Sequence, residues 1–317
     1  MKWFITPGEL RRQGVVGMNR RNTQMIAALN PRSRYPLVDD KLQTKAVALG
    51  AGISVPELYG VIETNHDVRH LPAIVAGRED FVIKPAHGSG GNGILVLTGR
   101  VGEQFRKASG LLVDLDGLKH HVSNILSGMY SLGGQPDRAM IEYRVLFDPL
   151  FEQVSFQGVP DIRTVVYKGY PAMAMVRLPT RASDGKANLH QGAVGAGIDI
   201  ATGVTGHGVL LNDIVDRHPD TGAPLGGIAI PGWGRLLELA AGCYELTGLG
   251  YLGVDVVLDR DRGPLILELN ARPGLAVQIA NGTGLLGSVE RIDARAAQSA
   301  LSPAERVAFV RGLAWHQ

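Results

Sequence analysis

Apolar positions along this chain follow two spacings, which predict a mixture of helices and strands. Between Asp39 and Gly50 the apolar residues lie three or four apart, as on one face of a helix, with Asp39 as the predicted N-cap and Gly50 at the end. The same spacing recurs over residues 233–244, just before Gly248. Residues 101–130 also have a mainly helical pattern.

Short runs of apolar and β-branched residues predict strands, most of them in neighbouring pairs joined by turn residues. The runs cover residues 81–84, 93–97, 139–145, 161–167, 172–178, 253–258 and 265–270. Neighbouring strands with short connections pair antiparallel. We place a boundary between two lobes at the predicted turn of residues 148–149.

Composition narrows the class of protein further. The chain has 317 residues, 45% of them hydrophobic, so it can bury a core and is not a disordered chain. A single cysteine excludes a disulfide framework and a zinc site built from cysteines. No stretch approaches the ~20 apolar residues of a membrane helix, and the first residues lack a signal-peptide core. We therefore expect a cytoplasmic protein with no membrane partner.

Positive charge is concentrated at the start of the chain. The net charge is only +2, but residues 1–45 carry nine lysines and arginines against three acids. Such a stretch can grip an acidic partner; the alternative is a solvated or oligomer-contacting arm. Few aromatic residues accompany the charge, so we expect no nucleic-acid partner.

A glycine-rich segment between two predicted strands is the first candidate ligand site. Glycine lets backbone N–H groups approach a phosphate closely, although simple turns are glycine-rich as well. In a P-loop, a lysine and then a helix follow the glycines, and a dinucleotide fingerprint also needs the helix. Here Lys84 precedes the glycines of residues 87–93 and a strand follows them. The segment is therefore predicted to be a hairpin flap with a lysine at its base.

Three oxygen-bearing side chains on one predicted hairpin suggest a metal site. If Leu258 pairs with Leu265, Asp255 lies opposite Glu268 with Cβ atoms ~5 Å apart. Asn270 points to the same face as Glu268, because side chains alternate along a strand. Two facing carboxylates among apolar neighbours repel, which raises their proton affinity unless a cation lies between them. Oxygen donors of this kind suit Mg²⁺; the alternative is an exposed hairpin face with ordinary salt bridges.

Three arginines form a basic candidate set. Arg163 and Arg177 lie on consecutive predicted strands and can share a face, and Arg272 closely follows Asn270. A guanidinium group can bind a phosphate or a carboxylate through two parallel hydrogen bonds. Exposed arginines on strands are the alternative interpretation.

Taken in order, these segments resemble the ATP-grasp superfamily of carboxylate–amine ligases, and most closely alpha-L-glutamate ligase-like proteins of the ribosomal-protein glutamate ligase and glutathione synthetase type. The resemblance covers residues 39–280. It rests on residues 40–41, 81–93, 141–143, 161–163, Arg177, 188–192, 253–255 and 267–275. It implies an α+β ATP-grasp fold of two lobes with the nucleotide between them.

The resemblance also implies a role for each matching residue. Lys41 and Lys84 would contact the ATP phosphates under a flap made of Gly88, Ser89, Gly90, Gly91, Asn92 and Gly93, and Glu142 and Tyr143 would hold the adenine. Asp255, Glu268 and Asn270 would bind two Mg²⁺ ions, with Mn²⁺ as an alternative. Arg163, Arg177, Asn188 and Arg272 would act near the γ-phosphate and the acyl phosphate formed from it.

On this interpretation the chain divides into four parts. Residues 1–38 are a basic arm, 39–140 the lobe with the flap, 141–290 the lobe with the metal site, and 291–317 a helical tail. These ligases usually carry a full α/β domain before the two lobes, which we expect to be lacking here. We expect the arm to dock on the body or on a second subunit and to help form the acceptor site.

The expected reaction joins an amino acid such as glutamate to a carboxylate acceptor, which can be a small molecule, a peptide or a protein. Two alternatives remain open, an ATP-dependent phosphotransferase and a non-catalytic nucleotide-binding module. A homo-oligomer is a further open alternative. His207 and the segment around His218 match no part of the ligase pattern, and residues 218–222 are interpreted as a turn.

Overall fold

Thirteen strands form the framework of the described part of the protein. The computed structural model describes residues 6–88 and 90–313. The strands are β1 (Leu58–Ile62), β2 (Phe81–Pro85), β3 (Leu95–Val101), β4 (Gln104–Lys107), β5 (Leu112–Val113), β6 (Ala139–Glu142), β7 (Asp161–Tyr167), β8 (Tyr170–Leu178), β9 (Val194–Ile198), β10 (Thr205–Leu210), β11 (Asp213–Val215), β12 (Tyr251–Asp259) and β13 (Gly263–Asn270).

Helices connect and cover these strands. The α-helices are α1 (Pro7–Arg12), α2 (Met18–Arg20), α3 (Pro36–Asp39), α4 (Lys41–Gly50), α5 (Leu71–Ile74), α6 (Leu115–Leu126), α7 (Trp233–Thr247), α8 (Ala276–Ala280), α9 (Leu286–Ala296) and α10 (Pro303–Gly312). A π-helical turn covers Arg21–Ala27, and 3₁₀ turns cover Arg32–Arg34, Asn65–His70, Leu132–Gly134, Pro149–Val154 and Leu189–Gln191. In the described ranges, no helix has both the length and the apolar character needed to cross a bilayer.

The strands form two separate antiparallel sheets. The first has six strands in the order β1-β6-β2-β3-β4-β5, and the second has seven in the order β11-β10-β9-β8-β7-β12-β13. The predicted pairs of neighbouring strands are present: β2 with β3, β7 with β8, and β12 with β13. This arrangement confirms the predicted α+β class.

Each sheet has its own hydrophobic core. On the first sheet, α6 places Leu118, Val122 and Ile125 at helical spacing against Phe81 and Ile83, and all five are fully buried. This core holds β2 and β6 in position, and these two strands carry the lysine and glutamate of the candidate site.

The second sheet is covered by α7. Its buried residues include Trp233, Leu236, Leu237 and Ala240, at the predicted spacing. The helix ends at Gly248, which has a left-handed φ of 67° and donates its N–H to the Tyr244 carbonyl at 2.8 Å. The predicted helix and its glycine end are therefore confirmed.

Two helix predictions need correction. Asp40, not Asp39, caps α4, and its carboxylate accepts the N–H of Leu42 at 2.9 Å. Residues 101–130 are helical only from Leu115, because Asp114 caps α6 and the preceding residues form β4 and β5.

The boundaries of the proposed four-part division fall inside regular elements. The step from residue 140 to 141 lies within β6, and the step from 290 to 291 lies within α9. The division therefore stays a prediction, with its lobes better defined by the two sheets.

The described part of the basic arm docks on the second sheet's side of the molecule. The Gln278 side chain accepts the N–H of Val16 at 2.8 Å and donates to its carbonyl at 3.1 Å. The Asn30 side chain donates to the carbonyls of Tyr251 and Ala271 at 2.7 Å each. These buried contacts confirm that the arm docks on the body.

Candidate functional site

A buried carboxylate between two lysines forms the centre of the first sheet's contribution. In the register of β2 with β6, Val82 lies opposite Glu142, so Lys84 and Glu142 share a face as diagonal neighbours. Lys84 forms an ion pair with Glu142, and the Lys45 ammonium lies 3.0 Å from its other oxygen. Glu142 is only 3% exposed. Burial would raise its pKa, but the two lysines outweigh burial and lower the pKa of Glu142.

Lys41 brings this centre close to the second sheet. It is the first residue of α4, and its ammonium donates to the Gly88 carbonyl at 2.6 Å. Burial, with Lys84 in support, lowers the pKa of Lys41 against the attraction of Glu268 and Glu142. Glu268 is on β13 and Glu142 on β6, so Lys41 is attracted by one carboxylate from each sheet.

The flap is a hairpin tip, as predicted. Its backbone conformation and close contacts require glycine at several positions. Gly90, Gly91 and Gly93 have φ values of 64°, 78° and 74°, where other residues are strained. A Cβ on Gly93 would also lie 2.6 Å from the Tyr130 ring. Asn92 is exposed at the tip, and the predicted flap residue Ser89 lies outside the described residues.

The flap touches a loop of the second lobe. The aliphatic chain of Lys186 lies 3.5 Å from the position that a Cβ on Gly91 would occupy. Nothing in the sequence singled out Lys186, because its position depends on a contact between segments about a hundred residues apart. The flap is therefore in contact with both halves of the molecule.

The β12–β13 hairpin places the predicted metal ligands as expected, although the starting pair was wrong. Asp255 lies opposite Glu268, but Leu258 lies opposite Pro264, not Leu265. A β-bulge between Asp255 and Val256 restores the predicted register on the site side. The two carboxylates therefore face each other across the ladder.

Asp255 is held by two arginines. Arg163 binds both of its oxygens, the second at 2.6 Å, and Arg177 contacts it at 2.8 Å. Burial alone would raise the pKa of Asp255, but the two guanidinium groups lower it. The expectation of a raised proton affinity is thus wrong for Asp255, because cationic side chains already offset its charge.

Asp161 completes this buried charge cluster. Its two oxygens accept hydrogen bonds from Arg177 at 2.5 and 2.7 Å. Burial and the nearby Asp255 raise the pKa of Asp161 to about 6, in spite of Arg177. Arg163 and Arg177 therefore share a face, as predicted, and their partners are two carboxylates on neighbouring strands.

The oxygen donors on β12 and β13 fit a hard divalent cation by their chemistry. Glu268 supplies a carboxylate, and Asn270 supplies an amide oxygen that also accepts the N–H of Arg272 at 2.8 Å. Asp255 supplies a second carboxylate, both oxygens of which already contact the arginine pair. Among residues 6–88 and 90–313, no three His, Cys, Asp or Glu side chains cluster so as to hold a metal by themselves. Nucleotide phosphates or water would have to complete the coordination.

Arg272 and Asn188 lie apart from the arginine pair in their contacts. The guanidinium group of Arg272 is 3.3 Å from both oxygens of Asp39 and 5.0 Å from the Tyr35 ring, so it faces the arm. The Asn188 side chain accepts the N–H of His190 at 3.1 Å and caps a 3₁₀ turn. Their predicted catalytic roles remain predictions.

Tyr143 lies at the connection between the sheets. Its N–H already donates to the Glu57 carbonyl at 2.8 Å, and the Arg262 guanidinium lies 3.9 Å from its ring centre. Burial and the Asp259 carboxylate raise the pKa of Tyr143 to about 12. Its predicted adenine contact, like that of Glu142, stays a prediction.

Sequence reasoning gave no role to three further residues of the site. Lys45 lies one helical turn after Lys41, and that i,i+4 spacing was an available signal. Asp161 precedes Arg163 by two residues on the same strand, which places both on one face. Asp137, which binds the base of the flap, follows a loop and gave no signal.

The histidine segment without a place in the ligase pattern is a turn, as interpreted. The His218 ring lies 3.0 Å from the Pro179 carbonyl, and Asp220 accepts the N–H of Arg181 at 2.7 Å. This turn braces the loop that follows β8 and carries Lys186.

The docked arm and the body together line a cavity of about 1060 Å³. Its lining includes Arg11 and Arg12 from the arm, Met173 from β8 and His207 from β10. Met173 and Arg177 point to the same face of β8, four residues or roughly 13 Å apart. The end of α8 packs on this face between them, because the Ala280 carbonyl would lie 2.7 Å from a Cβ on Gly197, the partner of Met175. The cavity lining contains no residue of the arginine cluster.

Two antiparallel sheets, a glycine flap and buried lysines near the flap are features of an ATP-grasp protein. Residues 20–294 match the family model described as "Sugar-transfer associated ATP-grasp", and the chain belongs to this family.

The individual proteins that resemble this chain share low sequence identity with it. A "Probable alpha-L-glutamate ligase" of Enterobacter sp. (strain 638) is 24% identical over 252 residues, which are 79% of this chain and 61% of that protein. The chain thus spans less than two thirds of this relative's length. Among solved structures, D-cycloserine synthetase DcsG has a TM-score of 0.47 at 15% identity, covering 84% of this chain and 73% of that one. The ligase PsnB with minimal precursor, Mg and ADP has a TM-score of 0.46 at 16% identity, covering 84% and 61%.

Proposed function

We propose that this protein is an ATP-dependent, ADP-forming ligase that joins a carboxylate to an amine. The observation that carries the proposal is the position of Lys41, which lies in the field of Glu142 and Glu268 from the two sheets and contacts the flap at Gly88. A nucleoside triphosphate bound between the sheets would place its phosphates next to the Lys41 ammonium.

The residues of the site support a reaction by positioning and charge stabilisation. Lys41 and Lys84 would bind the phosphates, and Arg163 and Arg177 would stabilise negative charge on the γ-phosphate as it passes to the substrate carboxylate. An amine would then attack the acyl phosphate and release phosphate. No side-chain nucleophile is needed, because the substrate carboxylate is itself the attacking group. Asp255, Glu268 and Asn270 would hold Mg²⁺, which would neutralise charge on the phosphate oxygens.

The acceptor is proposed to bind in the cavity that the arm and the body line together. The cavity volume of about 1060 Å³ exceeds what one amino acid needs, so an extended acceptor uses the cavity better than a small one. Arg11 and Arg12 favour an acidic acceptor. The description of the family and the glutamate ligase relative favour two amine or acceptor classes for testing, glutamate and sugar-bearing acids.

The deciding experiment measures ADP release with MgATP against amino acids combined with acidic peptides and sugar acids, followed by mass analysis. A ligase gives ADP, phosphate and an amide, with a mass increase equal to the amino acid minus water. A stable phosphorylated product would instead establish the phosphotransferase alternative. A protein that binds ATP but releases no ADP with any of the substrate combinations would favour the non-catalytic module.

Lys41→Ala is expected to weaken ATP binding at least tenfold, about 1.4 kcal/mol. The stability cost should be small, because the Lys41 ammonium bonds a carbonyl and not a buried carboxylate. Calorimetry with MgATP measures the affinity. Lys119→Ala, which removes a partly exposed lysine paired with Asp116, is the matched control and should bind as wild type. Equal affinities in all three proteins would remove Lys41 from the nucleotide site.

Replacing Arg11 and Arg12 together with glutamine is expected to raise the acceptor KM at least fivefold while leaving ATP affinity unchanged. The two guanidinium groups line the cavity and are far along the chain from the flap. Steady-state kinetics on the acceptor identified by mass analysis measures the effect, with Arg69→Gln on the first lobe as the control. An unchanged KM would show that the acceptor does not use the arm.

A further inference from the structure

The residue that enters the flap is fixed by one buried carboxylate. Asp137 accepts the backbone N–H of His87 at 3.0 and 3.1 Å, and the His87 ring nitrogen Nδ1 lies 2.8 Å from it. Asp137 also accepts the N–H of Arg138 at 2.7 Å, and it is only 5% exposed. N–H groups from the start of the flap and from the residue before β6 therefore converge on the same carboxylate.

The same base is connected to Lys41 by a second carboxylate. Asp40 caps α4 and accepts a hydrogen bond from Arg138 at 2.6 Å, and the other His87 ring nitrogen lies 3.7 Å from it. The backbone N–H of Lys41 donates to the Ala86 carbonyl at 3.3 Å. A closed ring of contacts therefore links three segments: the start of the flap, the start of α4 and the residues just before β6.

This ring of contacts reduces the number of flap residues that are free to move. Gly90, Gly91 and Gly93 give the tip conformational freedom, and ordering such a segment over a ligand costs entropy. If the base is already fixed, fewer backbone angles have to be ordered when the flap closes, and more of the binding energy is kept.

We propose that Asp137 and His87 are positioning residues, which fix the base of the flap so that Gly88 meets Lys41 and the flap closes from a preset direction. The proposal deepens the proposed function and rests on it for the identity of the nucleotide. The positioning itself is a property of the protein alone and can be measured without ATP.

Hydrogen exchange on the full chain tests the first part. In Asp137→Asn, an amide NH₂ replaces one accepting oxygen and opposes the N–H groups of His87 and Arg138. Amides of residues 86–95 should exchange at least tenfold faster than in wild type, with the other lobe unchanged. Asp67→Asn is the control, because Asp67 also accepts a backbone N–H in the first lobe, from Thr64 at 3.1 Å. Equal flap exchange in Asp137→Asn and wild type overturns the proposal.

Nucleotide measurements test the second part. Asp137→Asn should raise the Kd and the KM for ATP about tenfold while the acceptor KM stays constant, a split that general destabilisation would not give. His87→Gln, which keeps the backbone N–H and loses the ring contact, should show a smaller change of the same kind. It also replaces Asp137→Asn if that variant does not fold. Failure of wild type to bind ATP would refute the proposed function, whereas a wild-type ATP Kd in both variants would refute the positioning role.

Discussion

Glu142→Gln is expected to lower the free energy of unfolding by about 3–5 kcal/mol at pH 7. The substitution keeps the shape of the side chain but leaves the ammonium groups of Lys84 and Lys45 buried without their counter-charge. Urea unfolding at pH 7 measures the loss. Glu57→Gln is the matched control, because its partner Arg262 lies at 3.1 Å on the surface, and an exposed pair contributes only about 0–1 kcal/mol.

The stability difference between wild type and Glu142→Gln should also depend on pH. The pKa of Glu142 in the folded protein lies below its ordinary value of 4.5, so its stabilising contribution is fully present above pH 4.5. That contribution is lost as the pH falls through the folded pKa, where wild type also becomes neutral at this position. The stability difference between wild type and Glu142→Gln should therefore shrink in a series from pH 7 to pH 3. A difference that is constant over the series would assign the loss to packing.

Local sequence patterns were sufficient for the elements that carry the site. The two strands around the flap, and the hairpin with Asp255 opposite Glu268, follow from alternation and turn residues over fewer than 20 positions. The bulge could not be predicted, because it depends on packing between β12 and β13 and not on either strand alone. Two errors, the wrong starting pair and the missed bulge, cancelled at the site.

Long-range charge pairing was the part that the sequence could not provide. Asp255 and Arg163 are 92 positions apart, and their contact follows from the neighbouring places of β7 and β12 in the sheet. Without that topology Asp255 looked like one of two repelling acids, and its pKa was predicted in the wrong direction. The docking of the arm was expected from its lack of a core, but the buried residues Gln278 and Asn30 that hold it gave no pattern.

Loss of charge should affect stability strongly at Asp255 and only weakly at Glu268, the two facing carboxylates of β12 and β13. Asp255→Asn is expected to cost about 3–5 kcal/mol without nucleotide, because Arg163 and Arg177 would lose their buried partner. Glu268→Gln should change stability little, because Glu268 is half-buried and has no such arginine pair among the described residues. Thermal and urea unfolding of both variants measure this contrast.

Nucleotide then tests whether Glu268 is a ligand. At an MgATP concentration of 100 times Kd, binding should stabilise wild type by about 2.7 kcal/mol. Glu268→Gln should lose this Mg²⁺-dependent gain and its turnover although its fold is intact. Glu238→Gln, which removes an exposed carboxylate from α7 in the same lobe, should keep both. A Glu268→Gln protein that is destabilised without nucleotide, yet still stabilised by MgATP and active, would make Glu268 a structural acid and would leave Asp255 without the second carboxylate that the metal site needs.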